Sequence, residues 1–351
     1  MSKQNNYMAM LLSLLLAPYH FVNGSPLKAD EQVLFFPSAA MQVAEGKWEV
    51  PIHHWVFEKE ENSISRKFSQ AVFSELIEGF DVSEEKANSA LFRDRLAWFL
   101  VDNERNKEVN IEFAGDKYEL QLTESNGHGN TDIQINNKLL PGSWLKYKPM
   151  NQGEAKVVFS GEVQLIPETG LTVISDLDDT IKISNVLDKK ALIRNTFVEP
   201  YKVAKGMPEY YQRLDKQGAY FHYVSASPWQ IYPSLKPFMD SHYPKGTVSL
   251  RYFRLTDSSL IDFLQSSKEY KIAQIKQIIQ RYPKHQFLLI GDSGEHDPEV
   301  YASIYRQFPS EIKSIQIRAI TGSDLSEKRF SVDFKGIPKS VWEVFDVPNN
   351  M

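Results

Sequence analysis

Apolar and polar positions are arranged differently in the two parts of this chain. Up to about residue 166, short stretches alternate apolar with polar or run briefly apolar: Gln32 to Phe36, Lys47 to Phe57, Val109 to Phe113, Tyr118 to Leu122, Asp132 to Ile135 and Ala155 to Val163. Such stretches predict strands of a half-buried sheet. Clusters of Gly, Asn and Thr, as in Glu124 to Thr131, punctuate them. Two segments have helical spacing instead. Phe68, Val72, Phe73, Leu76, Ile77 and Phe80 share a stripe within Ser63 to Phe80, as do Leu91, Leu96, Phe99 and Leu100 within Lys86 to Val101. Residues 30–166 therefore read as a smaller, mostly antiparallel β domain carrying a helical pair (α+β), with a possible targeting role.

After the short linker Glu168-Thr169-Gly170 the pattern switches to strand–helix alternation. Val173 to Ser175, Tyr220 to Val224, Thr247 to Phe253, Gln286 to Ile290 and Ser314 to Ile320 predict strands. Pro208 to Lys216, Trp229 to Met239, Lys268 to Arg281 and Pro298 to Gln307 predict helices. In Lys268 to Arg281 the residues Ile272, Ile275 and Ile279 line one face, and Pro283 stops it. Alternation of this kind predicts an α/β fold with a doubly wound, Rossmann-like parallel sheet over residues 170–320. Lys182 to Gly206 reads as a polar, irregular segment able to form a flap, with Arg194, Lys202 and Lys205 available to an anionic substrate. Residues 321–351 form a polar tail in which Val341, Trp342, Val344 and Phe345 are expected to dock back on the body.

Composition narrows the function. The 351 residues suit roughly two domains, and a net charge of −5 argues against nucleic acid as a partner. There is no cysteine, which removes disulfides, thiolate catalysis, zinc–thiolate sites and cysteine-linked lipid anchors. Residues 1–24 read as an export signal: Lys3, an apolar run from Met8 to Ala17 too short to span a bilayer, Pro18, and small residues ending at Gly24. The mature chain is then expected to be periplasmic or extracellular, without a transmembrane span.

The candidate chemistry sits at predicted strand ends. Val173-Ile174-Ser175-Asp176-Leu177-Asp178-Asp179-Thr180 is an apolar run ending in carboxylates. Asp176 and Asp178 lie two apart, so in extended chain both point to one side, where they repel unless a cation or shared proton separates them. That suggests a Mg²⁺ site in which one carboxylate also attacks. The second strand ends in Ser225-Ala226-Ser227, and the fourth in Gly291-Asp292-Ser293-Gly294-Glu295-His296-Asp297. The helix before the fourth strand opens with Lys268 and Lys271. His53 and His54 are adjacent, face opposite ways in a strand, and are expected to be packing or surface residues.

The order Asp-x-Asp-x-Thr, strand-end Ser, Lys, then Gly-Asp-x-x-x-x-Asp resembles the haloacid dehalogenase-like phosphatases. More narrowly, Ser175 to Lys182, Tyr223 to Gln230 and Gly291 to Glu299 resemble the catalytic domain of the actin-patch phosphatidate phosphatase family. The resemblance implies that Asp176 is the nucleophile that becomes an aspartyl phosphate and Asp178 the general acid, then base. It implies Mg²⁺ held by Asp176, the Asp178 backbone carbonyl and Asp292, with Asp297 completing the site. Ser225 would bond a phosphoryl oxygen and Lys271 would neutralise another; Lys268 competes for that role. The connections from Asp178 to Ser225 and on to Lys271 are too short for a large cap domain, so the site is expected to be open to a large substrate such as a phospholipid at a membrane surface. The same chemistry on a soluble or protein-borne phosphate stays open, as does a non-catalytic binding module.

Overall fold

The computed structural model describes residues 24–59, 84–136, 138, 140–150, 156–253 and 268–348. The helix expected over Ser63 to Phe80 and the export signal, apart from Gly24, lie outside them. The described chain forms two sheets, one of ten strands and one of six.

Strands β1 (Glu31–Phe35), β2 (Ser38–Ala44), β3 (Lys47–Glu58), β4 (Asp102–Asn103), β5 (Asn110–Phe113), β6 (Asp116–Glu119), β7 (His128–Asn136), β8 (Trp144–Pro149), β9 (Lys156–Phe159) and β10 (Gly161–Ile166) make the first sheet. Its order is β6-β5-β8-β10-β2-β3-β1-β9, with β4 and β7 also pairing β3. It is a mixed sheet: β9 runs parallel to β1 and β10 parallel to β2. The single strand expected over Ala155 to Val163 breaks at Ser160, and its two pieces join different partners. Along β3 the alternation is clean. Trp48, Val50, Ile52 and Val56 fill a core inside this sheet, while Trp55 and Phe57 join the core shared with the rest of the molecule. The helical stripe over Lys86 to Val101 is interrupted: helix α1 (Glu84–Ala87) ends, and Ser89 caps α2 (Ala90–Ala97) by accepting from the Phe92 amide.

The second sheet contains β11 (Gly170–Ser175), β12 (Tyr220–Pro228), β13 (Thr247–Arg251), β14 (His285–Asp292), β15 (Ile312–Arg318) and β16 (Trp342–Phe345). All neighbours are parallel, in the order β13-β12-β11-β14-β15-β16. Both faces are covered, so the middles of the central strands β11 and β14 are apolar, while β13 and β15 carry several polar residues. Val173, Leu288 and Ile290 face helices α4 (Met207–Lys216) and α5 (Tyr232–His242). Ile174, Phe287 and Leu289 face α6 (Lys268–Arg281), α7 (Asp297–Gln307) and the region of α8 (Glu327–Asp333). The tail supplies the sixth strand, with the Ala319 amide donating to the Phe345 carbonyl at 2.6 Å.

Lys182 to Gly206 is not a polar loop. It contains helix α3 (Lys189–Ile193), which continues into a wider turn over Arg194–Val198, and it buries Ile193, Phe197, Val198 and Ala204. Its apolar residues are spaced irregularly because short helical turns and tight bends, rather than one regular element, carry them inward.

Candidate active site

The order of the parallel sheet reverses between β11 and β14, and ligands in such sheets sit beyond the carboxyl ends of the strands at that point. Asp176 follows β11 directly, its amide bonded to the Ile290 carbonyl of β14 at 2.9 Å. Asp292 ends β14, and Asp297 opens α7. The three carboxylates offer oxygens that all lie within 4.8 Å of one another, and all three residues are buried. Gly291 allows this approach: a Cβ there would sit 2.7 Å from the Asp297 Cβ.

Lys271, on the first turn of α6, reaches into the cluster. Its Nζ is 2.6 Å from Asp297 Oδ1, 2.9 Å from Asp176 Oδ1 and 3.4 Å from Glu295 Oε2, and it is 1 % exposed. Lys268 lies one turn earlier, 38 % exposed, paired with Glu299. Of the two lysines, the structure brings only Lys271 to the carboxylates. Burial raises the Asp176 carboxyl well above its ordinary range, opposed by Lys271 and reinforced by Asp297, Glu295 and Asp178. Asp292 is raised as well, by burial and then by Asp297 and Asp176. Asp176 Oδ1 has only its ion pair with Lys271, and neither Asp176 Oδ2 nor Asp292 Oδ2 has a hydrogen-bond partner. Buried carboxylate oxygens left in this way, with one lysine against three aspartates and Glu295, make an all-oxygen donor set that fits a hard divalent cation such as Mg²⁺.

Asp178 lies apart from that cluster. Its carboxylate accepts from Lys182 Nζ (2.7 Å), Ser184 Oγ (2.6 Å), Ser227 Oγ (2.9 Å) and Ser225 Oγ (3.2 Å). Burial alone would raise its pKa, but the Lys182 charge and the bonds from Lys182, Ser184 and Ser227 together hold it well below the usual carboxylate range. Its side chain is thus not one of the clustered cation donors. Ser225 bonds Asp178, and its Oγ also accepts from the Ser227 amide at 3.0 Å.

The turn that follows the two acids depends on Asp179. It takes a left-handed conformation, φ 50°, tolerated by Asp better than by most residues. Its carboxylate accepts from the amides of Ser184, Asn185 and Val186 at 2.8, 3.0 and 2.7 Å. Arg318 Nη1 donates to its carbonyl at 2.6 Å. On the far side, Arg329 of α8 donates to the carbonyls of Ser293 (2.6 Å) and Glu295 (3.0 Å) and holds the loop after β14. Lys182, Ser227 and Glu295 stood inside the motif-bearing stretches without an assigned role, and Ser184 two residues beyond the first of them. The i, i+4 spacing of Asp178 and Lys182 was the available signal. Arg318 and Arg329 carried none, since their partners are backbone carbonyls far along the chain.

A cavity of about 380 Å³ lies between the two sheets, lined by Phe36, His53, Trp229, Tyr252 and Tyr270 among others. Its described lining carries no carboxylate, unlike the strand ends.

Buried carboxylates and a lysine at the switch point of a parallel sheet define a class of acid-cluster α/β proteins suited to handling an anion beside a cation. Residues 171–319 match the family model described as phosphatidate phosphatase APP1, catalytic domain. The match shows the resemblance to the actin-patch phosphatidate phosphatase family over that segment. Phosphatidate phosphatase APP1 of Saccharomyces cerevisiae is 39% identical over 158 residues, 44% of this chain and 27% of that protein. An uncharacterised protein of Schizosaccharomyces pombe is 30% identical over 173 residues, 48% of this chain and 28% of that one. The chain therefore spans about a quarter of the length of these relatives. A solved carbohydrate esterase aligns over 85% of this chain and 90% of its own at 9% identity and TM-score 0.20, a likeness too slight to carry an argument.

Proposed function

We propose that this protein is a Mg²⁺-dependent phosphatase of haloacid dehalogenase-like, Rossmann-type fold that hydrolyses a phosphomonoester through an aspartyl-phosphate intermediate, with phosphatidate as substrate. One observation carries the reading. Asp176 stands at the end of the central strand with Oδ1 paired only to Lys271 and Oδ2 without a partner, beside two further acids, while Asp178, two residues on, is held by a separate set of donors. A nucleophile and a proton carrier must be kept apart in this way. The similarity to a protein named for phosphatidate supports the substrate.

Asp176, Asp292 and Asp297 would hold the cation, which when bound offsets the repulsion between Asp176 and an anionic phosphate. An Asp176 oxygen forms the bond to phosphorus as the bond from phosphorus to the substrate's alkoxy oxygen breaks. Asp178, which must first take up a proton against the hold of Lys182 and its hydroxyl donors, gives that oxygen a proton. Water then attacks phosphorus, Asp178 takes its proton, and inorganic phosphate leaves Asp176. Lys271 neutralises a phosphoryl oxygen, and Ser225 turns its hydroxyl from Asp178 to another. Such donors typically contribute about 3 to 4 kcal/mol each to the transition state.

The test is phosphate release from phosphatidate in mixed micelles beside a soluble aryl phosphate, with and without Mg²⁺, for wild type and Asp176→Asn. Release from the lipid that needs Mg²⁺ and is lost in the variant is the expected result. Release from the aryl ester alone keeps the mechanism and discards the lipid. No release from either by folded protein with Mg²⁺ overturns the reading.

A further inference from the structure

Asp178 is held differently at its two oxygens. Oδ1 takes Lys182 Nζ and Ser184 Oγ, whereas Oδ2 takes Ser227 Oγ and Ser225 Oγ. A carboxylate offers about four lone-pair sites, so four donors saturate it. To carry a proton it must release one donor. The Oδ1 side cannot easily do so. Lys182 is 1 % exposed. Its Nζ also bonds Ser184 Oγ at 2.6 Å and sits 5.3 Å from the centre of the Tyr201 ring. Its carbonyl accepts from the Asp179 amide at 2.7 Å, and its backbone bridges Val203. On the Oδ2 side the donors are two serine hydroxyls at a strand end, free to rotate once another acceptor arrives.

From this asymmetry we infer that Lys182, with Ser184, is a positioning residue: it fixes Oδ1 of Asp178 and so directs proton transfer through Oδ2, the oxygen that the serines vacate for the phosphoryl group. The inference rests on the phosphatase reading above. Arrival of phosphate and release of the proton-carrying oxygen then become one event. Lys182 Nζ bonds Asp178 and Ser184 and lies outside the Asp176–Asp292–Asp297 cluster. Its effect must scale with how much the leaving oxygen needs a proton: an alkoxide needs one, whereas a nitrophenolate departs without it.

The experiment compares kcat/KM for an alkyl phosphate and for a nitrophenyl phosphate carrying the same alkyl chain on its ring, both in mixed micelles with Mg²⁺. The proteins are wild type, Lys182→Met, Lys182→Arg and Ser184→Ala, each checked for thermal midpoint. Lys182→Met is expected to lose about 10²-fold or more on the alkyl ester, the scale of general-acid catalysis, and less than about 10-fold on the aryl ester. Lys182→Arg should recover part of the alkyl activity, and Ser184→Ala should show the same split more weakly. Equal losses on both esters in folded variants would overturn the inference. If Lys182→Met fails to fold, Ser184→Ala decides alone, and absence of a split there overturns it. A wild type inert on both esters would instead overturn the phosphatase reading on which this rests.

Discussion

At the scale of single residues, the site is set by which carboxylates have partners. Asp179 spends its carboxylate on three amides and its backbone on a left-handed turn, so Asp179→Ala should both loosen the loop and strain the turn. We expect a loss of about 2 to 3 kcal/mol, as for an uncapped buried amide cluster, measurable by denaturant unfolding. His54 offers a different test. It is fully buried, neither ring nitrogen has a partner, and burial holds its pKa at about 4. The folded state stays neutral while the unfolded chain takes up a proton below about pH 6.5. Stability is therefore whole above that pH and is lost as pH falls towards 4, on the order of 3 kcal/mol for the full interval. In His54→Leu the decline in thermal midpoint across that interval should be shallower, and parallel slopes would refute the assignment. Asp176, Asp178, Asp292 and Asp297 stood out in the sequence because each lies at a short offset beyond an apolar strand, whereas Lys271 shares the first turn of its helix with Lys268 and was favoured only through the family resemblance. Lys182 and Ser184 did not stand out, because a buried lysine in a stretch without period looks like a solvated loop until its carboxylate partner is placed beside it.

At the scale of elements, legibility followed burial on both faces. The central strands β11 and β14 carry apolar runs buried on both faces, whereas β13 and β15 mix in polar residues; where the runs and the helix stripes are strongest, local pattern and tertiary environment agree. The mixed sheet was harder. β2, with small residues through Ser38-Ala39-Ala40, and β8, with lysines at every second position, lack contrast between faces. No local signal distinguishes a strand that will pair parallel with a distant one. The last strand, β16, is only four residues long and is recognisable as a strand only beside β15. It is held by Trp342, stacked on Phe334 with ring centres 4.4 Å apart and covered by Lys339 Nζ at 3.2 Å. Trp342→Ala should remove about 2 kcal/mol, less than for a fully buried ring because Trp342 is half-exposed. Since α8 carries Arg329, the same variant should also reduce phosphate release, which an assay alongside denaturant unfolding would show.

At the scale of the molecule, the two sheets do not have separate interiors. Leu34, Phe36, Trp55, Phe57, Phe92 and Leu96 from the first part share one apolar cluster with Val173, Leu177, Trp229, Tyr232 and Leu235 from the second. Phe36 lies 4.3 Å from the Trp229 ring and 5.0 Å from that of Tyr232. Arg95 of α2 donates to the Thr196 and Glu199 carbonyls at 2.9 and 2.8 Å and lies 3.8 Å from the centre of the Tyr201 ring, the ring that Lys182 also approaches. Phe36→Ala should therefore cost about 3 to 4 kcal/mol although no catalytic group is near it in sequence. Residues 170–348 expressed alone should bind a hydrophobic dye and melt well below the full chain; a fragment with the full chain's midpoint would count against a common core.

The common core also bears on inheritance. The segment matched by the family model begins at residue 171, yet the surface on which it rests is contributed by residues before that point. A gene rearrangement that moved the catalytic segment to a new neighbour would expose Trp229 and Tyr232 to water. Two routes remain open to such a rearrangement: bring the first sheet along, or recolour that apolar face with polar side chains. In any lineage, the residues at these two positions should therefore report which kind of neighbour the catalytic segment has.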